Sequence, residues 1–426
     1  MTKRSFIGLT GPKLLCDRIE PDPKEPESIP IPKRLVLLIH EPLDSTRETK
    51  IKKGDTVKQG ERLFLYVESA EYAVAPDSGT ITAIASYTGD FGAVATYLIL
   101  ERDGRSLKTD EFAKVAETPE LATADKFLRH LPGAPPLARL LDTDHKIKTL
   151  VIEGTDSDLA STTRQYLLTT AKDDILQGIA LIRQMTGIED IAITIPEENK
   201  ASLLFDGTRT LLISSQYTKA LPKIIMKELL GVIPVPGMSC HEQGVVFMGV
   251  EAVVSMARAY ALKEPVYEKV LTVIGKDGIR HRVKAVIGTP IHRIFKQFNI
   301  VCNDRDRIII GGPMQGVAAY TLYHPVQPDT DTIIVQDCGE IPHVSDYPCI
   351  NCGKCIRVCP ANIPVNLLVR YLEASMYEEA ADNFDLKSCI ECGMCSYVCT
   401  SRIPLFQYIR LGKHELLKLE TEETHA

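Results

Sequence analysis

Eight of the chain's 12 cysteines lie between Cys349 and Cys399, in two quartets of identical spacing. The first is Cys349-x2-Cys352-x2-Cys355-x3-Cys359-Pro360 and the second Cys389-x2-Cys392-x2-Cys395-x3-Cys399. Gaps of two residues let three thiolates converge from one tight loop on three irons of a cubane, with backbone N–H groups facing the sulfides. The fourth cysteine, one turn into the following helix, reaches across to the other cluster. The spacing therefore predicts two [4Fe–4S] clusters, one held by Cys349, Cys352, Cys355 and Cys399 and the other by Cys389, Cys392, Cys395 and Cys359. Structural zinc favours two well-separated Cys-x2–4-Cys pairs, a different pattern. The implied chemistry is electron transfer, which needs no acid–base residue, and no catalytic residue is assigned.

The quartets belong to an internal repeat. Cys349-Ile-Asn-Cys-Gly-Lys-Cys-Ile-Arg-Val-Cys-Pro-Ala-Asn-Ile-Pro matches Cys389-Ile-Glu-Cys-Gly-Met-Cys-Ser-Tyr-Val-Cys-Thr-Ser-Arg-Ile-Pro at an offset of 40 residues. This resembles the pseudo-two-fold of bacterial-type ferredoxins, with Thr400 where the pattern's second proline would stand. The cations Lys354, Arg357 and Arg402 flank the cysteines. They can raise cluster potentials, attract an acidic ferredoxin, or simply form a solvated face. Between the quartets, Val365 to Asn383 reads as one helix with Val365, Leu368, Val369, Leu372 and Met376 on a common side.

The elements that must carry this domain occupy the rest of the 426 residues. A hydrophobic content of 44% and a charged content of 25% are those of an ordinary globular chain with room for several cores. No apolar stretch approaches the length of a membrane span. The opening Met1-Thr-Lys-Arg-Ser-Phe has no apolar signal region, so the expected compartment is cytoplasmic. A net charge of −7 argues against nucleic acid. In a reducing compartment clustered cysteines point to metal rather than disulfides. The scattered Cys16, Cys240, Cys302 and Cys338 read as small buried hydrophobes, and His241 beside Cys240, lacking two further ligands, as turn chemistry.

Residues 1–30, rich in Pro, Glu and Asp, read as an extended arm without its own core. Residues 31–110 hold short strands broken by turns. Their phrases Gly54-Asp-x-Val-x-x-Gly60 and Ala75-Pro-x-Ser-Gly-x-Ile81 resemble the lipoyl/biotinyl barrel-sandwich hybrid, but the hairpin Glu68-Ser-Ala-Glu-Tyr-Ala lacks the carrier lysine. A structural module is expected there. Residues 120–262 alternate strand and helix patterns: Thr149-Leu-Val-Ile, a helix from Thr163 to Met185, Ile191-Ala-Ile-Thr-Ile, Leu211-Leu-Ile, and a helix from Tyr217 to Leu230. That alternation predicts a largely parallel α/β sheet. Residues 265–330 read as a small β-grasp module, with strands at Val270 and Val283 and a helix from about Pro290. Residues 340–415 hold the cysteine-rich domain. Gly8-x-x-Gly11 and Gly311-Gly312 read as turns.

The order of these modules resembles RnfC, the peripheral subunit of the membrane-bound Rnf complex, from about residue 30 to 413. The segments carrying the likeness, beyond the barrel-sandwich phrases, are Tyr217-Thr-Lys-Ala-Leu-Pro-Lys through Val235-Pro-Gly-Met, Gln243-Gly-Val-Val-Phe, Ile287-Gly-Thr-Pro-Ile, Ile308-Ile-Ile-Gly-Gly-Pro-Met-Gln-Gly, Ser396-Tyr-Val-Cys and Ile403-Pro-Leu-Phe-Gln-Tyr-Ile-Arg-Leu-Gly-Lys. The resemblance implies a multidomain α/β and α+β fold: barrel-sandwich hybrid, Rossmann-like flavoprotein domain, β-grasp SLBB-like domain and α-helical 2[4Fe–4S] ferredoxin domain. In that family the α/β domain binds FMN and handles nicotinamide through a loop Gly-x-Gly-Gly-Ala-x-Phe-Pro-Thr. Here the nearest segment is Leu128-Arg-His-Leu-Pro-Gly-Ala-Pro-Pro-Leu-Ala-Arg, with the single glycine Gly133 and three prolines, which lack the N–H donors a phosphate needs. The family's Asn-x-x-Glu-Cys-Glu-Pro becomes Glu153-Gly-Thr-Asp-Ser-Asp-Leu, and its Gly-Gly-Glu becomes Lys219-Ala-Leu-Pro-Lys. Three altered parts predict a degenerate domain that has kept its fold and lost FMN and NADH.

The expected function is an electron-transfer subunit, not an enzyme by itself, relaying electrons through two clusters between a ferredoxin-type carrier and the other subunits of an Rnf-type ion-translocating complex. It would sit on the inner face of the membrane through those subunits. The competing readings are an FMN-dependent NADH dehydrogenase subunit with an unfamiliar nucleotide loop, and a mainly structural assembly subunit.

Overall fold

A computed structural model describes residues 12–20, 22–200, 203–345 and 347–425. Gly8, Gly11 and the opening of the chain lie outside them. Among the described residues no helix is long and apolar enough to cross a membrane.

The apolar run of Arg34–Ile39 pairs antiparallel with Val94–Arg102, which pairs in turn with Gly79–Thr88 and thence with Thr56–Val57. A hairpin of Arg62–Phe64 and Tyr72–Val74 closes over the inward residues Leu35, Leu37, Leu63, Ile81, Leu98 and Leu100. The hairpin tip that lacks lysine is fixed by Arg47, which binds Glu41 at 2.7 Å and Glu68 at 2.5 Å.

The second sheet is parallel throughout, in the order Arg209–Ile213, Asp190–Pro196, Thr149–Glu153, Val245–Gly249. Its strands read as continuous β-branched and aliphatic runs because helices cover both faces. The helix expected from Thr163 to Met185 is two helices, Thr163–Thr170 and Lys172–Thr186, hinged at Ala171 (φ −119°, ψ 39°). Thr169 and Thr170 bond back to the carbonyls of Gln165 and Tyr166, which loosens the turn. Asp173 and Asp174 then favour a fresh N-terminus. The helix expected from Tyr217 starts only at Pro222, because proline fixes the first helical position and keeps Leu221 extended.

A six-stranded mixed sheet follows, ordered Glu27–Ser28, Arg280–Val286, Glu268–Ile274, Thr332–Gln336, Arg307–Ile310, Val317–Ala319. The helix Ile291–Gln297 packs Ile291, Ile294 and Phe295 against it. The sheet reaches past residue 330 and recruits the N-terminal arm as a parallel edge strand, Glu27 opposite Val283. The arm has no core of its own yet is docked at both ends of its described part: Ile29 is buried in this sheet's core, and the Cys16 N–H donates to the Ser215 carbonyl at 2.7 Å.

The cysteine-rich region is helical. Lys354–Val358, Val365–Glu373, Tyr377–Phe384, Met394–Val398 and the long helix from Leu405 surround Leu368, Val369, Leu372, Ile403 and Ile409. The single helix expected over Val365–Asn383 breaks at Ser375, whose φ of +57° no helix contains. Of the four scattered cysteines read as buried hydrophobes, Cys16, Cys240 and Cys302 are half-buried and pack against apolar clusters, whereas Cys338 is exposed.

Candidate metal centre

The sequence repeat is reproduced in the backbone. Asn351 and Glu391 have φ of +59° and +54°, Gly353 and Gly393 +68° and +72°, and Asn362 and Arg402 +58° and +55°. Each left-handed glycine turns the loop sharply into a short helix, Lys354–Val358 or Met394–Val398. Cys359 and Cys399 end these helices in extended conformation. The turned loops aim N–H groups at sulfur: Lys354 at Cys352, Met394 at Cys392, Ile356 at Cys355 and Ser396 at Cys395. Glu391 N–H donates to Cys389 Sγ at 3.4 Å.

Within each triad the sulfurs lie close enough to feel one another, and Cys359 lies near the second triad. Cys355 is held above its ordinary pKa by burial and by the neighbouring Cys349 and Cys352. Burial likewise raises Cys389, Cys392 and Cys395, and each of these also feels Cys359, which belongs to the other repeat. Reciprocally, Thr400, adjacent in sequence to Cys399, places its hydroxyl 4.0 Å from Cys352 Sγ. Among the described residues no three of the eight sulfurs lie mutually within 4.8 Å. A single tetrahedral zinc holds its sulfurs about 3.8 Å apart, given a Zn–S bond of about 2.3 Å. The wider spacing, the all-thiol donor set and the converging N–H groups suit an iron–sulfur core larger than one ion.

The two loops differ in surroundings. Cys352 is exposed and its thiol is lowered by the Lys354 N–H, whereas Cys392 and Cys395 are buried and Cys392 is pushed up to about 11 by burial. Tyr217, Leu221, Ile224, Leu159 and Met314 pack on Cys392 and Met394. Tyr217 Oη donates to the Cys392 carbonyl at 2.8 Å, and Gln315 Nε2 to the Glu391 carbonyl at 3.2 Å. Asp158, itself raised by burial, holds this seat by accepting the N–H groups of Met314 and Gln315. A Cβ on Gly393 would stand 2.5 Å from the Met314 carbonyl, so only glycine allows this approach. On the far side Lys413 Nζ donates to the Cys389 carbonyl and to Glu391, both at 2.7 Å. At the exposed loop Lys354 Nζ donates to Thr400 Oγ1 at 3.0 Å and Arg357 to the Cys352 carbonyl at 3.3 Å. Sequence reasoning named the eight cysteines, Lys354 and Arg357 but not Lys413 or the seat formed by Tyr217, Leu159 and Met314, since those contacts join segments remote in the chain.

The segment Leu128–Arg139 borders a cavity of about 380 Å³ at the carboxyl end of the parallel sheet, lined among others by Arg129, Pro135, Pro136, Arg164 and Glu251. Gly133 packs flush on the backbone of Ala252, and Ser255 Oγ donates to the Pro132 carbonyl at 2.7 Å. Carboxylates project toward this space. Lys269 binds Glu251 and reaches Asp331 at 3.1 Å, and Arg164 bridges Glu153 at 3.2 Å and Asp331 at 3.4 Å. These two cations already have anionic partners within the chain.

The 4Fe-4S dicluster domain family matches residues 342–400. The C subunit of the ion-translocating oxidoreductase complex of Pasteurella multocida is 28% identical over 398 residues, covering 88% of this chain and 46% of that protein. The Serratia proteamaculans protein of the same name is 27% identical over 416 residues, covering 92% and 59%. The chain thus spans about half the length of the curated relatives it matches. A NAD+-reducing [NiFe]-hydrogenase in the H2-reduced state is similar at 14% identity and a TM-score of 0.44, covering 72% of this chain and 63% of that one. Across about nine-tenths of its length, then, the chain is a homologue of RnfC, the C subunit of ion-translocating oxidoreductase complexes, and it carries a 4Fe-4S dicluster domain.

Proposed function

We propose that the chain is the electron-relay subunit of a membrane-associated Rnf-type complex, exchanging electrons with a ferredoxin-type carrier and with the other subunits and performing no NADH chemistry of its own. Cys349, Cys352, Cys355 and Cys399 would hold one [4Fe–4S] cluster and Cys389, Cys392, Cys395 and Cys359 the other. The observation that carries this reading is the grouping of Cys359 with the thiols of the second repeat. Bound clusters supply one-electron acceptance and release.

The chain's own residues set the conditions for that exchange. The N–H groups of Lys354, Ile356, Glu391, Met394 and Ser396 stabilise negative charge on sulfur. Exposure at Cys352, beside Lys354 and Arg357, suits contact with a diffusing acidic carrier, while the seat of Tyr217 and Met314 keeps water from Cys392. The finer domain reading proposed is a barrel-sandwich hybrid, a degenerate flavoprotein domain, an SLBB-like β-grasp domain and a 2[4Fe–4S] ferredoxin domain, attached to the inner membrane face through partner subunits.

The persistent cavity of about 380 Å³ favours a second reading, an FMN-dependent NADH dehydrogenase subunit. Against it stand Pro135 and Pro136, which offer no N–H, and Glu251, Glu153 and Asp331, which repel phosphate. Flavin and iron content of the anaerobically purified, iron-loaded chain decide between them. About eight irons with near-zero FMN are expected; close to one FMN per chain would return the protein to the nicotinamide-linked class.

A further inference from the structure

His241 lies in the turn leading to the strand Val245–Gly249, and in sequence its nearest soft metal-binding neighbour is Cys240. The fold supplies two more donors. Asp142 and His145, on the loop leading to the adjacent strand Thr149–Glu153, come up beside it, the loops being joined by Lys148 N–H donating to the Gly244 carbonyl at 2.8 Å. Asp142 Oδ2 lies 2.9 Å from His145 Nδ1 and 3.6 Å from His241 Nε2, and the three donor atoms all fall within 4.8 Å of one another. Nitrogen and oxygen ligands around tetrahedral zinc, at bonds of about 2.0–2.1 Å, stand about 3.3 Å apart. The observed separations bracket that value.

A second observation concerns how His241 is aimed. Ser239 Oγ donates to Glu242 Oε2 at 2.5 Å. With its proton committed there, the Ser239 hydroxyl accepts from His241 Nδ1 at 2.8 Å. His241 Nδ1 is thereby the donor to Ser239, and Nε2 is left facing the Asp142 carboxylate. Two electron-rich atoms facing each other repel unless a proton or a cation stands between them. A hydroxyl and a carboxylate orienting the far nitrogen of an imidazole are the outer-shell support that metal-ligating histidines use. Cys240 takes no part, because it packs inward with Ile225, Met226 and Val245.

We propose that Asp142, His145 and His241 bind one divalent first-row transition metal of the zinc type, with water completing the shell from the open side, where His145 is 36% exposed. The metal clamps the loops that feed two neighbouring parallel strands, at the edge of the sheet opposite Glu153 and Gly249. It uses no residue of the cysteine loops and owes nothing to the electron-transfer reading.

The test uses the full chain with its iron–sulfur clusters intact, stripped of loose metal by chelation and desalting without oxygen, then titrated with Zn2+. Zinc and iron per chain are counted, and the zinc environment is read by X-ray absorption. About one zinc per chain with only nitrogen and oxygen neighbours is expected, iron unchanged. His145→Ala with His241→Ala should abolish it at unchanged iron, and Ser239→Ala should weaken it about 10- to 100-fold. Should the double variant not fold, the near-isosteric Asp142→Asn serves, with at least tenfold weaker binding expected. Zinc no higher in the wild type than in these variants, or sulfur neighbours at about 2.3 Å, would overturn the proposal.

Discussion

Tyr217 donates its hydroxyl to the carbonyl of Cys392 at 2.8 Å, joining the α/β domain directly to a cysteine loop 175 residues further along the chain. Burial holds the phenol far above its ordinary pKa, so it remains a donor at every pH the protein meets.

Tyr217→Phe removes that donor and leaves a buried carbonyl unpaired. A loss of about 1–3 kcal/mol is expected, read as a lower denaturation midpoint with iron content unchanged. An unchanged midpoint would show that the loop is held without this bond.

Gly353 and Gly393 share one left-handed conformation but not one environment. For Gly353→Ala only the conformational cost applies, roughly 1–2 kcal/mol, since its nearest neighbour is the flexible tip of Arg357 at 3.9 Å. Gly393→Ala adds a collision with the Met314 carbonyl, so it should destabilise clearly more and release the cysteine domain from its seat. Parallel unfolding curves and limited proteolysis of the two variants check the order.

Crossed ligation has a spectroscopic signature. Cys359→Ser should perturb the same electron paramagnetic signal as Cys392→Ser, and Cys399→Ser the same signal as Cys352→Ser. If Cys359→Ser instead matches Cys352→Ser, each repeat holds its own cluster.

His130 sits half-buried and edge-on to Tyr72, ring centroids 4.7 Å apart, and its removal from water lowers its pKa to about 4. Unfolded histidine titrates near 6.5, so the unfolded chain takes up the proton first as pH falls. The stability this neutral ring contributes is complete above about pH 6.5 and is lost as pH drops toward 4. Between pH 7.5 and 5.5 the loss should be about 1 kcal/mol, and His130→Gln should flatten the profile by that amount in urea titrations.

The cysteine spacing was legible because its message is local: each thiol triad lies within seven residues, and chain geometry alone makes it converge. The strands Thr149–Glu153 and Asp190–Pro196 were legible from their apolar runs, and Arg280–Val286 only from Val283 onward, its first three residues being polar. The breaks at Ala171 and Ser375 were not, since apolar periodicity continues through both while side-chain bonding and packing decide the backbone. Nor was the meeting of His145 with His241, or of Glu251 with Lys269. Those contacts are set by which strands lie side by side, and no short window of sequence contains both partners.

The edge strand Glu27–Ser28 has a consequence for biogenesis. Its pairing partners, Val283 and Lys284, leave the ribosome more than 250 residues later, a delay on the order of tens of seconds at ordinary synthesis rates. Until then Glu27–Ser28 have no strand to pair with, even once the other end of the arm can dock Cys16 on the Ser215 carbonyl. That stretch is made early and is among the last to be fastened, so a chain interrupted before Val283 should be protease-sensitive around Glu27–Ser28 even where the regions behind it are already folded.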